Sequence, residues 1–118
     1  MSDKVAILVL AGTETYEGMA RVVNALMAVK EYRDAGEDVK LIFDGEGTRW
    51  VEKFSNPDQS YRELYEEVKD KVSVCAYCAG AFNVKKSVEE QNLPLADEFE
   101  GHPSVRSLIK DGYQVITF

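Results

Sequence analysis

The stretch from Lys4 to Leu10 is apolar at every position after the lysine: Val5, Ala6, Ile7, Leu8, Val9 and Leu10 follow without a polar break. Alternating strands have one wet face, whereas a continuous apolar run suits a central strand covered on both faces. That requirement constrains the whole chain, because something must cover each face. The next segment supplies one cover. Ala11 to Gly18 is turn-rich, and Met19, Val22, Val23, Leu26, Met27 and Val29 then recur at near-helical spacing up to Ala35-Gly36, with Gly36 suited to the position just past a helix end.

The same alternation continues. Val39–Phe43 reads as a second strand closed by Asp44-Gly45-Glu46-Gly47, followed by a short amphipathic segment around Thr48–Phe54. Ser60-Tyr61-Arg62-Glu63 fits a capping box, opening a helix with Tyr61, Leu64, Tyr65 and Val68 on one face. Val72–Cys75 is a third strand. Ala79 to about Gln91 is expected as one helix with Phe82, Val84 and Val88 inward, and Leu93-Pro94-Leu95 as a brief edge strand. Pro103 suits the first turn of a last helix with Val105, Leu108 and Ile109 inward and Gly112 at its end, before a closing strand from Tyr113 to Phe118. Strands alternating with helices imply right-handed crossovers. The expected fold is α/β: a single three-layer α/β/α domain over residues 1–118, with a mainly parallel sheet of about five strands and no repeat, linker or low-complexity segment.

In such sheets ligands bind beyond the carboxyl ends of the strands. Three loops should gather there: 11–18, 44–49 and 75–80. The last of these, Cys75-Ala76-Tyr77-Cys78-Ala79-Gly80, holds both cysteines of the chain. If the third strand ends near Cys75, Cys78 falls at or just before the start of the next helix, where free N–H groups and the helix dipole favour a thiolate. The plainer alternative is a buried, inert thiol. Cys75 belongs to the strand, where burial is the default. Dithiol redox centres place their first cysteine at the helix start, and here the second takes that place, which argues against a standard thioredoxin-type centre.

Other candidates are weaker. Gly12-Thr13-Glu14-Thr15 has the glycine and hydroxyl content of an anion-binding loop, so Gly12, Thr13 and Thr15 are candidate ligand-binding residues. It is not a Walker A loop, and Glu14 and Glu17 would repel a phosphate; a polar connection opening a helix is the preferred reading. The sole histidine, His102, precedes the last helix and is a candidate to orient a ligand or influence a thiol; loop histidines are more commonly surface residues. Trp50, Tyr61 and Tyr65 are read as core or half-buried residues rather than a cleft lining. A zinc site needs about four ligands. Two cysteines and one histidine leave that set one short unless a carboxylate or a second subunit completes it, so no metal and no cofactor is expected.

Charge and cysteine content bound the partners. A formal charge of −7 repels phosphate backbones, which makes nucleic acid an unexpected partner. No apolar run approaches the ~20 residues of a membrane-spanning helix, and Met1-Ser2-Asp3-Lys4 lacks a basic, secretory start. Two cysteines without an export signal point to a reducing cytoplasm, where a C-x-x-C is more commonly catalytic, redox-active or metal-binding than a structural disulfide.

Taken together, "KVAILVLAGTETYEGMARVVNAL", "VSVCAYCAGAFNVKKSV" and "EGHPSVRSLIKDGYQVITF" resemble the DsrE/DsrF-like family of small sulfur-relay-like proteins, TusD-type subunits among them. The resemblance spans nearly the whole chain. It implies that Cys78 matches the cysteine that carries sulfur as a persulfide between a donor and an acceptor protein; Cys75 has no counterpart in the basic pattern, which marks a variant subgroup. It also implies a homo-oligomer (dimer, trimer or hexamer). The expected function is that of a sulfur carrier through Cys78. The alternatives are a non-catalytic module of the same fold that binds a small ligand or a partner, and a Cys75/Cys78 thiol–disulfide switch.

Overall fold

The computed structural model describes residues 3–118. The part of the N-terminal reading that falls on Met1 and Ser2 lies outside them. Five strands form one sheet: β1 (Lys4–Val9), β2 (Asp38–Phe43), β3 (Val72–Cys75), β4 (Leu95–Ala96) and β5 (Gln114–Thr117). All pairings are parallel, and the order across the sheet is β4-β3-β2-β1-β5. The apolar run at the start is thus the inner strand β1, hydrogen-bonded to β2 on one side and β5 on the other. Leu10 leaves the sheet and is half exposed, because its amide already turns towards Phe118.

The helices cover the two faces unequally. α1 (Tyr16–Asp34), α2 (Arg49–Lys53), α3 (Arg62–Val68), α4 (Ala76–Ala81) and α5 (Lys85–Glu90) pack on the face formed by Val5, Ile7, Val9, Val39, Leu41, Phe43, Val72 and Val74. Among the described residues only α6 (Val105–Lys110) covers the other, where Ala6, Leu8, Ile42 and Tyr113 make a small cluster with Leu108 and Val115. The three-layer α/β/α architecture follows directly: successive crossovers build the sheet outward from β1 to β4, and the last one returns across the opposite face to place β5 beside β1.

Local chemistry explains the boundaries. Thr15 caps α1, its side chain accepting from the Gly18 amide, and Gly36 follows the Ala35 C-cap with φ +76°. The capping box expected at Ser60 does not form. Tyr61 is the N-cap of α3 without a side-chain bond, and the Arg62 amide is already satisfied by the Gln59 carbonyl. The single helix expected from Ala79 to Gln91 is two. Asn83 adopts φ +59°, and Val84 N–H reaches back to the Ala79 carbonyl while Asn83 N–H reaches Gly80, a closing motif that ends α4 before α5 begins. Pro103 stands outside α6, whose N-cap is Ser104, and Val105 and Ile109 are exposed, so Leu108 alone carries that helix's core contact.

Trp50, Phe54 and Tyr65 are fully buried and stack in sequence, with centroids 5.5 and 4.9 Å apart. Tyr65 donates to Gln91 Oε1 at 2.5 Å, and Gln91 in turn donates to the Val51 carbonyl, tying α3 to α2 through a buried polar relay. Tyr61 is half-buried at the surface.

Candidate functional site

Parallel register decides which residues can meet at the carboxyl edge. Phe43 pairs with Val74 and Cys75 with Ala96, so Asp44 and Cys75 are the next neighbours across β2 and β3. Asp44 is held there by a tight 3-10 turn, Gly45–Thr48. It caps this turn through Gly45 N–H at 2.8 Å, and its own amide donates to Val9 O. Gly47 makes that turn possible: a Cβ at this position would lie 2.0 Å from Val9 O.

Cys75 is the last residue of β3 and also the N-cap of α4. Cys78 is therefore the third residue of the helix, one turn deeper than its expected place at or before the helix start. Its amide donates to Cys75 Sγ at 3.4 Å, and Tyr77 N–H donates to the Gly101 carbonyl at 2.8 Å. Two first-turn amides are thus already partnered within the fold, leaving fewer to stabilise a Cys78 thiolate than an open helix end would offer. Exposure inverts the usual dithiol arrangement: the first cysteine, at the helix start, is fully buried, and the second is part-exposed. Burial, with Asp44 adding like-charge repulsion, pushes the Cys75 thiol up to about 12 despite the opposing Cys78 amide, so Cys75 stays protonated at neutral pH.

His102 joins these groups through a hairpin that the sequence reading missed. Phe99 and His102 exchange two backbone hydrogen bonds of 2.8 Å, with Glu100 and Gly101 at φ +50° and +85° between them. Positive φ at both central residues is the type I′ signature, for which glycine in the second place is favoured. The turn presents the imidazole to the buried sulfur, with His102 Nδ1 3.4 Å from Cys75 Sγ and the ring tilted against Tyr77 at 4.8 Å between centroids. Cys78 Sγ donates to Asp44 Oδ1 at 3.5 Å. One ligand-type atom from each of Asp44, Cys75, Cys78 and His102 lies within 4.8 Å of the others.

The sequence reading named Cys75, Cys78 and His102 individually, and the fold brings them together. It left out Asp44, although the signal was present: the first residue after a parallel strand next to the cysteine strand. The loop carrying Gly12, Thr13 and Thr15 does not join this cluster of four. Thr15 is occupied as a helix cap; Gly12 and Thr15 line a shallow cleft with Thr117 and Phe118, and Thr13 borders a wider groove with Arg49, Lys53, Asn56 and Asn83. That groove is lined by none of the four clustered side chains.

The matching family model is that of the DsrE/DsrF-like family, and it covers residues 3–118. The chain belongs to this family. A DsrE/DsrF-like chain with the same length profile is the uncharacterized protein MJ0733 of Methanocaldococcus jannaschii, 30% identical over 114 residues and spanning 96% of this chain and 93% of that one. A solved structure of similar fold is the conserved protein of unknown function BT1422 from Bacteroides thetaiotaomicron, with TM-score 0.65, 13% identity, and coverage of 96% of this chain and 94% of that one. At that identity the likeness concerns the fold alone. No described helix is long and apolar enough to cross a membrane.

Proposed function

We propose that this DsrE/DsrF-like protein carries sulfane sulfur on Cys78. The observation that supports this reading best is the asymmetry of the two thiols at the carboxyl edge of the sheet: Cys78 is part-exposed and held by Asp44, whereas Cys75 is buried behind it. In the loading step the Cys78 thiolate attacks the outer sulfur of a donor persulfide. The donor S–S bond breaks, its electron pair leaves with the donor as a thiolate, and Cys78 becomes the persulfide. An acceptor thiolate repeats the exchange in the other direction, so no external oxidant or reductant is needed. Asp44 accepts the S–H of Cys78 in the resting thiol form.

The proximity of the sulfurs supports a second reading. Both lie within 4.8 Å, so Cys75 can attack the inner sulfur of a Cys78 persulfide, forming a disulfide and releasing hydrogen sulfide. In this reading Cys75 acts after Cys78 because it is buried behind it, and the proton it gives up on attack leaves with the released hydrogen sulfide.

We place this chemistry in the reducing cytoplasm, in a homo-oligomer. Support for the oligomer comes from the thinly covered sheet face and its surroundings, where Phe99, Val105, Ile109 and Ile116 are exposed.

Incubation with a persulfide donor followed by intact-mass measurement and tandem spectrometry tests the assignment. One added sulfur on Cys78, absent in Cys78→Ser and retained in Cys75→Ser, is expected. An added sulfur that persists in Cys78→Ser would overturn the assignment, and no added sulfur at all would favour a binding module without chemistry. A sulfide burst with a Cys75–Cys78 disulfide would establish the second reading.

A further inference from the structure

The sulfur-carrier reading uses Cys78 and, at most, Cys75. It leaves the convergence of Asp44 and His102 on the same point without a role, and neither residue is brought there by chance packing. Asp44 is fixed by the 3-10 turn and its close approach to β1, and His102 by the Phe99–His102 hairpin and the Tyr77 ring. Three chain segments thus deliver two thiols, one imidazole nitrogen and one carboxylate oxygen to a common centre.

We propose that Cys75, Cys78, His102 and Asp44 form a tetrahedral site for a divalent cation of the zinc type. The donor set is S2NO, and thiolate with imidazole selects zinc over the hard, oxygen-seeking magnesium and calcium ions. The spacing fits. Around a zinc ion with bonds of about 2.0–2.3 Å, tetrahedral ligand atoms stand about 3.3–3.8 Å from one another. Cys75 Sγ to His102 Nδ1 is 3.4 Å and Cys78 Sγ to Asp44 Oδ1 is 3.5 Å, two opposite edges of such a tetrahedron. All remaining pairs lie within 4.8 Å. The C-x-x-C contributes as a chelating pair, with the Cys78 amide directed at Cys75 Sγ, where it supports the sulfur as an anion.

The surroundings complete the site. Gly45 N–H holds the Asp44 carboxylate and the Tyr77 ring packs on the imidazole; such outer contacts orient the ligands of metal centres. Both thiols release their protons on binding, so two thiolates, one carboxylate and the ion sum to a single negative charge, in a chain whose net charge of −7 attracts cations. Cys78, His102 and Asp44 are part-exposed, so an ion enters from solvent while Cys75 closes the floor.

This site goes beyond sulfur carriage and does not depend on it. The two uses share one atom, Cys78 Sγ, so the ion and the sulfane sulfur exclude each other: zinc masks the thiol, and its removal exposes it.

The test is titration of the reduced, metal-free full chain with zinc against a chromophoric chelator, and with cobalt(II) as a spectroscopic probe. One ion per chain is expected, with an intense thiolate-to-cobalt band. His102→Gln and Asp44→Asn are each expected to weaken binding by at least ~10-fold, the scale of losing even an outer contact. Protection of the part-exposed Cys78 thiol from alkylation by zinc gives the same answer without any variant. Failure to bind, binding without the thiolate band, or affinity unchanged in both variants would overturn the site. Sulfur loading is scored separately on the metal-free chain and again after zinc is added. Loading without zinc binding removes the metal site and leaves the carrier reading standing; zinc binding without loading does the reverse. Loading at an unchanged rate with zinc bound would also overturn the shared-atom site.

Discussion

The two faces of the sheet make unequal bargains with the same strands. One face buries a continuous cluster from Val5 to Val88 under five helices; the other, among the described residues, buries only Ala6, Leu8, Ile42 and Tyr113 under α6. The thick face contains the stacked aromatics Trp50, Phe54 and Tyr65. On the thin face Lys4 and Lys40 lie over the Tyr113 ring instead, at 4.6 and 5.3 Å. Stability should therefore be concentrated on one side of the sheet. The candidate site is built at the carboxyl edge, where turns carry Asp44 and His102 to the strand residue Cys75.

The largest expected effect lies in the thick face. Trp50→Ala removes a fully buried indole and leaves the Ala11 carbonyl without its 2.8 Å partner. It is expected to cost about 3–5 kcal/mol in denaturant unfolding. Leu8→Ala on the thin face should cost less, near the lower end of the ~2–5 kcal/mol range for such truncations; equal losses would break the contrast between the faces. Gly47→Ala comes next. Its Cβ must displace Val9 O, at about 1–3 kcal/mol, and Asp44 shifts with the turn. Zinc affinity should fall with it, whereas a comparable destabilisation at Leu8 should leave affinity unchanged.

Alkaline titration compares the faces through one residue each. Burial raises Tyr65 well above the usual tyrosine range, and burial followed by the Asp38 hydrogen bond raises Tyr113 to about 12. The unfolded tyrosines ionise near 10. Since both folded values are raised, the neutral forms contribute stability that is fully present below pH ~10 and is lost as pH climbs towards the folded values. Tyr65→Phe and Tyr113→Phe should each flatten that alkaline decline, as followed by unfolding midpoints between pH 9 and 11. An unchanged decline in either variant would show that its phenol is not held neutral by the fold. The smallest effect is expected away from both cores: Arg21→Ala breaks an exposed i,i+4 pair with Glu17 and should change stability by no more than ~0.5 kcal/mol.

Much of the architecture was legible because it rests on local periodicity. The apolar run of β1, the spacing of α1 and the Gly36 stop all declare themselves within a few residues. The misses were of a different kind. Ser60 reads as a cap, but a neighbouring carbonyl reached the Arg62 amide first. Asn83 breaks a helix that the apolar pattern carries straight through, because left-handed backbone at one residue leaves no trace in hydrophobic spacing. Val105 and Ile109 look inward by pattern, yet only Leu108 reaches the thin core.

For the site, the sequence by itself determined the chemistry available: two thiols three positions apart at a strand end, one imidazole, and acidic residues throughout. Which of them meet was decided only by tertiary structure. Cys75 and Cys78 are joined by one helical turn, a local matter, but Asp44 and His102 arrive from 31 residues before and 27 residues after Cys75. Parallel register places Asp44 beside Cys75, and a two-residue hairpin after β4 folds His102 back over it. Among 21 acidic side chains, Asp44 is set apart in the sequence only by its place directly after a strand. It is distinguished by its neighbours in space, and those neighbours exist only once the strands have paired.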